Sequence, residues 1–206
     1  SDDEIYLHYD NILISFRCMK LMAHSASMQF QCYLLKGVED AEAYAHTYWL
    51  REKTAYPDLP DFIQESSLHE AEGFLKRSKD KHFVLWDAQA KRTIGKADIV
   101  GLFEFRDSLI TRDMQGLGLS KILYDARLQF MQESLVRRFA YAKIAHTNPP
   151  SIRAAQRNGF TPSRYYRDFN LAYYYRFIGR AKTDDSLEQA RVAVFENPKP
   201  LVPVGL

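Results

Sequence analysis

Two glycines, a serine and a lysine stand close together in Met114-Gln115-Gly116-Leu117-Gly118-Leu119-Ser120-Lys121, and Ile122-Leu123-Tyr124-Asp125-Ala126-Arg127-Leu128 follows directly. These residue types at this spacing can hold phosphate. Glycines let backbone N–H groups come close to a ligand, and a helix N-terminus adds unsatisfied donors and a partial positive charge. Lys121 and Arg112 can add full charges. Elsewhere, His146 carries a side chain that can take up a proton. The ordinary pKa of histidine, about 6.5, suits proton removal near neutral pH.

Several phosphate-binding patterns compete at this stretch. A P-loop needs Gly-Lys-Ser/Thr, but here Lys121 follows a serine. A dinucleotide fingerprint needs a third glycine where Lys121 stands. A glycine-rich turn that merely caps a helix is the plainest alternative. What remains, Gln115-Gly116-x-Gly118-x-Ser120, resembles the Gln/Arg-x-x-Gly-x-Gly/Ala signature of the GNAT acyltransferases, which move acetyl groups from acetyl-CoA to amines. A second run begins thirty-two residues after Gly116: Asn148-Pro149-Pro150-Ser151-Ile152-Arg153-Ala154-Ala155-Gln156-Arg157-Asn158-Gly159-Phe160. It is similar to the GNAT segment that starts with Asn, runs through a short helix and closes on Gly-Phe. Its local physics agrees. Asn148 or Ser151 can cap a helix whose first turn tolerates Pro150, and Gly159 can end it in the left-handed conformation. The likeness covers roughly residues 81–178.

The resemblance implies an activity and a set of residues. The pyrophosphate of acetyl-CoA would lie on the backbone N–H groups of Gly116, Leu117, Gly118, Leu119, Ser120 and Lys121, with Gln115 leading in. The pantetheine arm would pair with Leu109, Ile110 and Thr111, and a backbone N–H near Ile110 would polarise the thioester carbonyl, where negative charge builds. Asn148 would reach the cofactor from the second motif. Glu104 or His146 would take the proton from the acceptor amine. One family feature is absent: where many members carry a tyrosine as acid for the leaving thiolate, this chain has Ala155. Tyr124 and Tyr165 are the substitutes to consider. Ala155 also supports a second reading, a CoA-binding or interaction domain without activity. A third is an acyltransferase for long chains or acyl carrier protein.

Elements must position these residues. A strand over Gly101–Thr111 enters the glycine turn, within a region from about Lys96 that holds two strands or a bulge. A helix with Ile122, Ala126 and Phe130 on one face leaves the turn. Met28–Leu35, His82–Ala88, Phe139–Ala145 and Arg167–Ile178 read as strands. In the last of these Phe169, Leu171, Tyr173, Tyr175 and Phe177 share one face. Residues 87–95 read as a polar turn. Helices are expected over Glu39–Thr54 and Leu68–Arg77. Tyr44, Tyr48, Trp49 and Tyr56 are either core or the lining of an acceptor pocket. Within Ile5–Met22, Ile12, Ile14 and Phe16 alternate like a strand and Cys18–Met22 can turn helical. Ala23–Ser27 reads as a connection. Residues 184–195 read as a short helix or a last strand. The expected fold is α/β: a GNAT-like mixed, twisted sheet of six or seven strands with helices on both faces. Its domains are an N-terminal extension at 1–27, the acyltransferase domain at 28–180 and a C-terminal extension with a Pro-rich tail at 181–206.

Composition narrows the classes. The chain of 206 residues is 46% hydrophobic with a net charge of +2, which favours neither nucleic acid nor a membrane surface as partner. Two cysteines, Cys18 and Cys32, make no disulfide framework and no metal site. No apolar run has the length of a membrane span and no signal peptide is visible, so a cytoplasmic protein is expected. The expected partner is an amine-bearing small molecule or a peptide or protein acceptor; the oligomeric state is open, a homodimer being common in the family.

Overall fold

The structure, a computed structural model, describes residues 6–9, 12–15, 19–37, 40–47, 65–101, 104–134, 139–167 and 170–178. Strands β1 (Tyr6–Tyr9) and β2 (Ile12–Ser15) form an antiparallel hairpin of their own. The main sheet has eight strands: β3 (Lys20–His24), β4 (Phe30–Leu34), β5 (Lys81–Asp87), β6 (Arg92–Val100), β7 (Glu104–Ile110), β8 (Phe139–Ala145), β9 (Thr161–Arg167) and β10 (Leu171–Phe177). Their spatial order is β3-β4-β5-β6-β7-β8-β10-β9. The sheet is mixed: β3 to β6 are antiparallel neighbours, β7 meets β8 in parallel at Glu104↔Tyr141, and β10 is antiparallel to both β8 and β9. The helices are α1 (residues 41–47), α2 (Glu65–Arg77), α3 (Ser120–Ser134) and α4 (Pro149–Arg157). An α/β fold with a mixed sheet is what the family resemblance implies. The strand count is slightly higher than six or seven.

The chain divides into two compact units, residues 1–102 with 106–130, and residues 103–105 with 131–206. In the first unit β5 is buried on both faces, which explains why its apolar residues run continuously instead of alternating. Val84 and Trp86 pack with Met19, Tyr33, Leu35 and the α1 residue Ala43. Phe83, on the other face, meets Phe130 of α3 edge-on at 6.1 Å between centroids. Helices therefore cover both faces of this strand. Polar groups inside this unit are tied together. His82 and Lys96 donate to the two carboxylate oxygens of Asp98 at 2.9 and 3.1 Å, and the guanidinium of Arg127 donates to the carbonyls of Leu123 and Asp98. Burial acts to raise the Asp98 carboxyl, but the His82 and Lys96 contacts outweigh it and hold the group below the usual carboxylate range. Cys32 is a buried free thiol. In the second unit Tyr141 and Tyr173 form a core with Leu171, Tyr175 and Phe177 around it.

Several elements differ from the sequence pattern. β3 is a strand where a helical turn and a connection were expected, because pairing with β4 satisfies a backbone that has little local preference. The turn between β5 and β6 is confined to residues 88–91, since Arg92 to Gly95 pair back onto β5. The Lys96–Thr111 region resolves into two strands, with Gly101 in a left-handed turn between them. β9 carries no alternation, so only its pairing with β10 reveals it. Tyr48, Trp49, Tyr56, Phe169, Cys18 and residues 184–195 lie outside the described residues.

Candidate functional site

The first cluster of site residues lies in the first unit, at the end of β7. Asp107 adopts φ 51°, a left-handed conformation inside a strand. Aspartate tolerates that region better than most residues, and such a residue re-aims the strand after it. Beyond it the backbone groups alternate. An ideal Cβ on Gly95 of β6 would come within 2.7 Å of the Leu109 carbonyl oxygen, and the Thr111 N–H donates to the Ile94 carbonyl at 2.9 Å. Leu109 and Thr111 thus direct those groups at β6. The alternation of a strand then turns the N–H and C=O of Ile110 to the opposite edge. The Ile110 carbonyl accepts the Gln115 side-chain amide at 3.0 Å. Gln115 therefore straps the turn to the strand end.

A 3₁₀ turn, Arg112–Met114, follows. Asp113 pairs with Arg92 of β6, and that hydrogen bond holds its carboxyl below the usual range. Gly116 and Gly118 then take φ 83° and 75°, and a Cβ on either would meet nothing within 4 Å. The space over the turn is open, and the demand for glycine is conformational. Leu119 turns inward and is buried, whereas Leu117 is 61% exposed. α3 begins at Ser120. The N–H of Lys121 donates to Gly118 O at 3.1 Å and that of Ile122 to Leu119 O at 3.0 Å. Among the described residues no acceptor is found for the N–H groups of Gly116, Leu117, Gly118, Leu119 and Ser120. Five consecutive donors at a helix N-terminus form an anion cradle. The Lys121 backbone, grouped with them on sequence grounds, is already bonded, and its ammonium pairs with Asp125 one turn on.

The second cluster lies in the second unit. Asn148 is the N-cap of α4: its Oδ1 accepts the Ser151 N–H at 3.2 Å. The helix closes in a Schellman turn, with Phe160 N–H on Ala155 O and Gly159 N–H on Gln156 O, and Gly159 at φ 79°. Arg176 of β10 clamps this turn through the Asn158 carbonyl. Phe160 packs on Phe105 at 5.4 Å between centroids. The Asn-to-Gly-Phe spacing is thus a capped helix with both ends fixed. Ala155 is fully buried on its inner side and supplies no acid.

Glu104 is also buried in this unit. Tyr141 donates its hydroxyl to Glu104 Oε2 at 3.1 Å, and the Lys143 ammonium lies 3.9 Å from Oε1. Tyr141 and Lys143 were not singled out by sequence. Both sit on β8, and only cross-strand pairing brings them to Glu104. His146 lies exposed in the turn after β8, with its N–H on Asn170 O at 3.2 Å. Of the proposed acids, Tyr124 is buried beside Arg127; burial raises its hydroxyl above the ordinary tyrosine value, and Arg127 partly opposes this. Tyr165 falls on β9 at a position whose side chain lies outside the described residues.

Comparison of the sequence with protein-family models and with curated proteins gives no match. Solved structures do match. The spermidine N-acetyltransferase from Vibrio cholerae, in complex with CoA and spermine, is 19% identical with a TM-score of 0.53, over 73% of this chain and 96% of that one. The ribosomal-protein-S5-alanine acetyltransferase from Vibrio fischeri is 13% identical with a TM-score of 0.58, over 75% of this chain and 96% of that one. Both are GNAT acetyltransferases. With its strand order, its glycine turn at the start of α3 and its capped α4, this chain has the GNAT acetyltransferase fold.

Proposed function

We propose that the chain is an N-acyltransferase that moves an acetyl group from acetyl-CoA to a primary amine by direct transfer. The observation that carries the reading is the cradle of five N–H groups from Gly116 to Ser120, unpaired among the described residues and open on its ligand side. It fits a diphosphate, because backbone donors and the helix dipole favour negative charge there. Leu109, Ile110 and Thr111 would hold the pantetheine, with the outward N–H of Ile110 as donor to the thioester oxygen. Gln115 would keep that strand end in place, and Asn148 would contribute its remaining amide group. Acetyl-CoA supplies the activated acyl carbon. Glu104 is the better-built base, since Tyr141 fixes one carboxylate oxygen and leaves the other facing an ammonium. His146 is the alternative base. The acyltransferase domain is assigned to 28–180, with extensions at 1–27 and 181–206.

The acceptor class is a primary amine, as a small molecule or on a peptide or protein. The spermine bound to the Vibrio cholerae neighbour makes a polyamine the first acceptor to try. Calorimetry with acetyl-CoA tests the donor site. Micromolar binding to the wild-type chain, lost in a folded Gly118→Trp variant, is expected. No binding to a well-folded sample would remove the CoA reading. The buried Ala155 favours a second reading, a CoA-binding domain without turnover. Thiol release from acetyl-CoA with a panel of amines separates the two.

A further inference from the structure

Three side chains of the first unit stand in a line that the acyltransferase reading does not use. His82, near the start of β5, donates from Nδ1 to Asp98 Oδ1 of β6 at 2.9 Å. This contact and the Lys96 ammonium at 3.1 Å keep Asp98 a carboxylate, which can only accept. The proton of the neutral ring therefore sits on Nδ1, and Nε2 presents its lone pair. Ser78 Oγ lies 3.3 Å from that Nε2. The Asp80 N–H donates to the same Oγ at 3.1 Å, which leaves the serine hydrogen to point at the ring. His82 and Asp98 are buried, whereas Ser78, just past the end of α2, is half-buried. The rings of Phe74 and Tyr44 flank His82 at 5.4 and 4.9 Å between centroids, and Phe74 is partly exposed beside the serine.

We propose that Ser78, His82 and Asp98 form a nucleophilic triad that hydrolyses small carboxylic esters, an activity separate from acetyl transfer. A hydroxyl, a base within its reach and a third group that orients the base are what catalysis by serine requires. In the first step Ser78 Oγ bonds to the ester carbonyl carbon and its proton passes to His82 Nε2. The bond from that carbon to the alkoxy oxygen breaks, and His82 returns the proton to the leaving alcohol. Water then attacks the acyl-serine in the same way, releasing the acid and restoring the hydroxyl. Asp98 is a positioning residue: it fixes the tautomer and stabilises the protonated ring. The N–H of Lys79, next in the chain, finds no acceptor among the described residues and offers a donor to the oxyanion. The exposed part of Phe74 gives an apolar ester group a surface to lie on.

The probes are p-nitrophenyl acetate and a serine-directed fluorophosphonate, applied to the full chain without acetyl-CoA. The acetate should give a burst of p-nitrophenolate, and peptide mapping should find the acetyl and the phosphonyl group on Ser78. Ser78→Ala should abolish both, and His82→Gln should slow labelling by about a hundredfold or more. Asp98→Asn should move the pH midpoint of labelling downward, because the ring loses the carboxylate that favours its protonated form. The other groups facing the ring, Ser78, Tyr44 and Phe74, and the Lys96 ammonium behind the carboxylate are unchanged in that variant. A merely structural Asp98 would leave the midpoint in place. The wild-type peptide map decides the matter even if a variant at the buried His82 or Asp98 fails to fold. The proposal is overturned if Ser78 reacts no faster than the exposed Ser27 and Ser108, or if ester hydrolysis persists in Ser78→Ala. It is also overturned if a folded His82→Gln is labelled at the wild-type rate. These probes bypass CoA, so calorimetry with acetyl-CoA judges the acyltransferase reading separately.

Discussion

Gly118 holds φ 75° with open space where a side chain would go. Gly118→Ala therefore meets no clash, only backbone strain, and should cost about 1 kcal/mol of stability. The measurements are a denaturant midpoint and calorimetry with acetyl-CoA, where affinity should fall as the N–H groups are re-aimed. His46 carries a different prediction. Burial lowers its pKa from 6.5 to about 4, so the folded chain favours the neutral ring. Its contribution is intact above pH 6.5 and is lost as pH falls toward 4, because only the unfolded chain takes up the proton in that window. The loss should be on the order of 3 kcal/mol. Urea midpoints at several pH values should show it, and His46→Phe should flatten the curve between pH 6.5 and 4. Among residues, the glycine pair was legible because glycine advertises a positive φ. Asp107 was not, since an aspartate in the left-handed region leaves no pattern in the neighbouring residues.

β6 and β7 touch where Gly95 faces the Leu109 carbonyl. Gly95→Ala would put a methyl group 2.7 Å from that oxygen, against backbone with no freedom to rotate away. The strand end has to shift, so both thermal stability and acetyl-CoA affinity should fall, more than in a surface Gly→Ala control. α4 gives a contrast. Asn148→Ala removes the bond to the Ser151 N–H and should cost about 1 kcal/mol, readable in a melting curve. Helices α2, α3 and α4 were legible from capping residues and apolar spacing. β3 and β9 were not: Pro162 interrupts the pattern of β9, and β3 shows one buried residue among five. Such strands are defined by their neighbours' hydrogen bonds, which local sequence does not carry.

Across the whole molecule, Cys32 offers a probe. It is fully buried, and burial pushes its thiol up to about 12, opposed by Arg127. Thiolate is the reactive form, so neutral-pH alkylation should be nearly silent in the native chain. In a Cys18→Ser background, labelling of Cys32 should follow global unfolding and rise in step with a circular-dichroism transition. Labelling far ahead of unfolding would show local opening around β4. The strand order at this scale was not readable from periodicity. Glu104 and Tyr141 are thirty-seven residues apart, and the alternation within a strand does not say which strands are neighbours. The turn from Gly116 to Ser120 has one more consequence. Its donors belong to the main chain, so the identity of most side chains there is free to drift. Side chains can differ widely while the same shape persists. A chain whose letters match no family model can therefore still share its architecture with acetyltransferases at 13% and 19% identity.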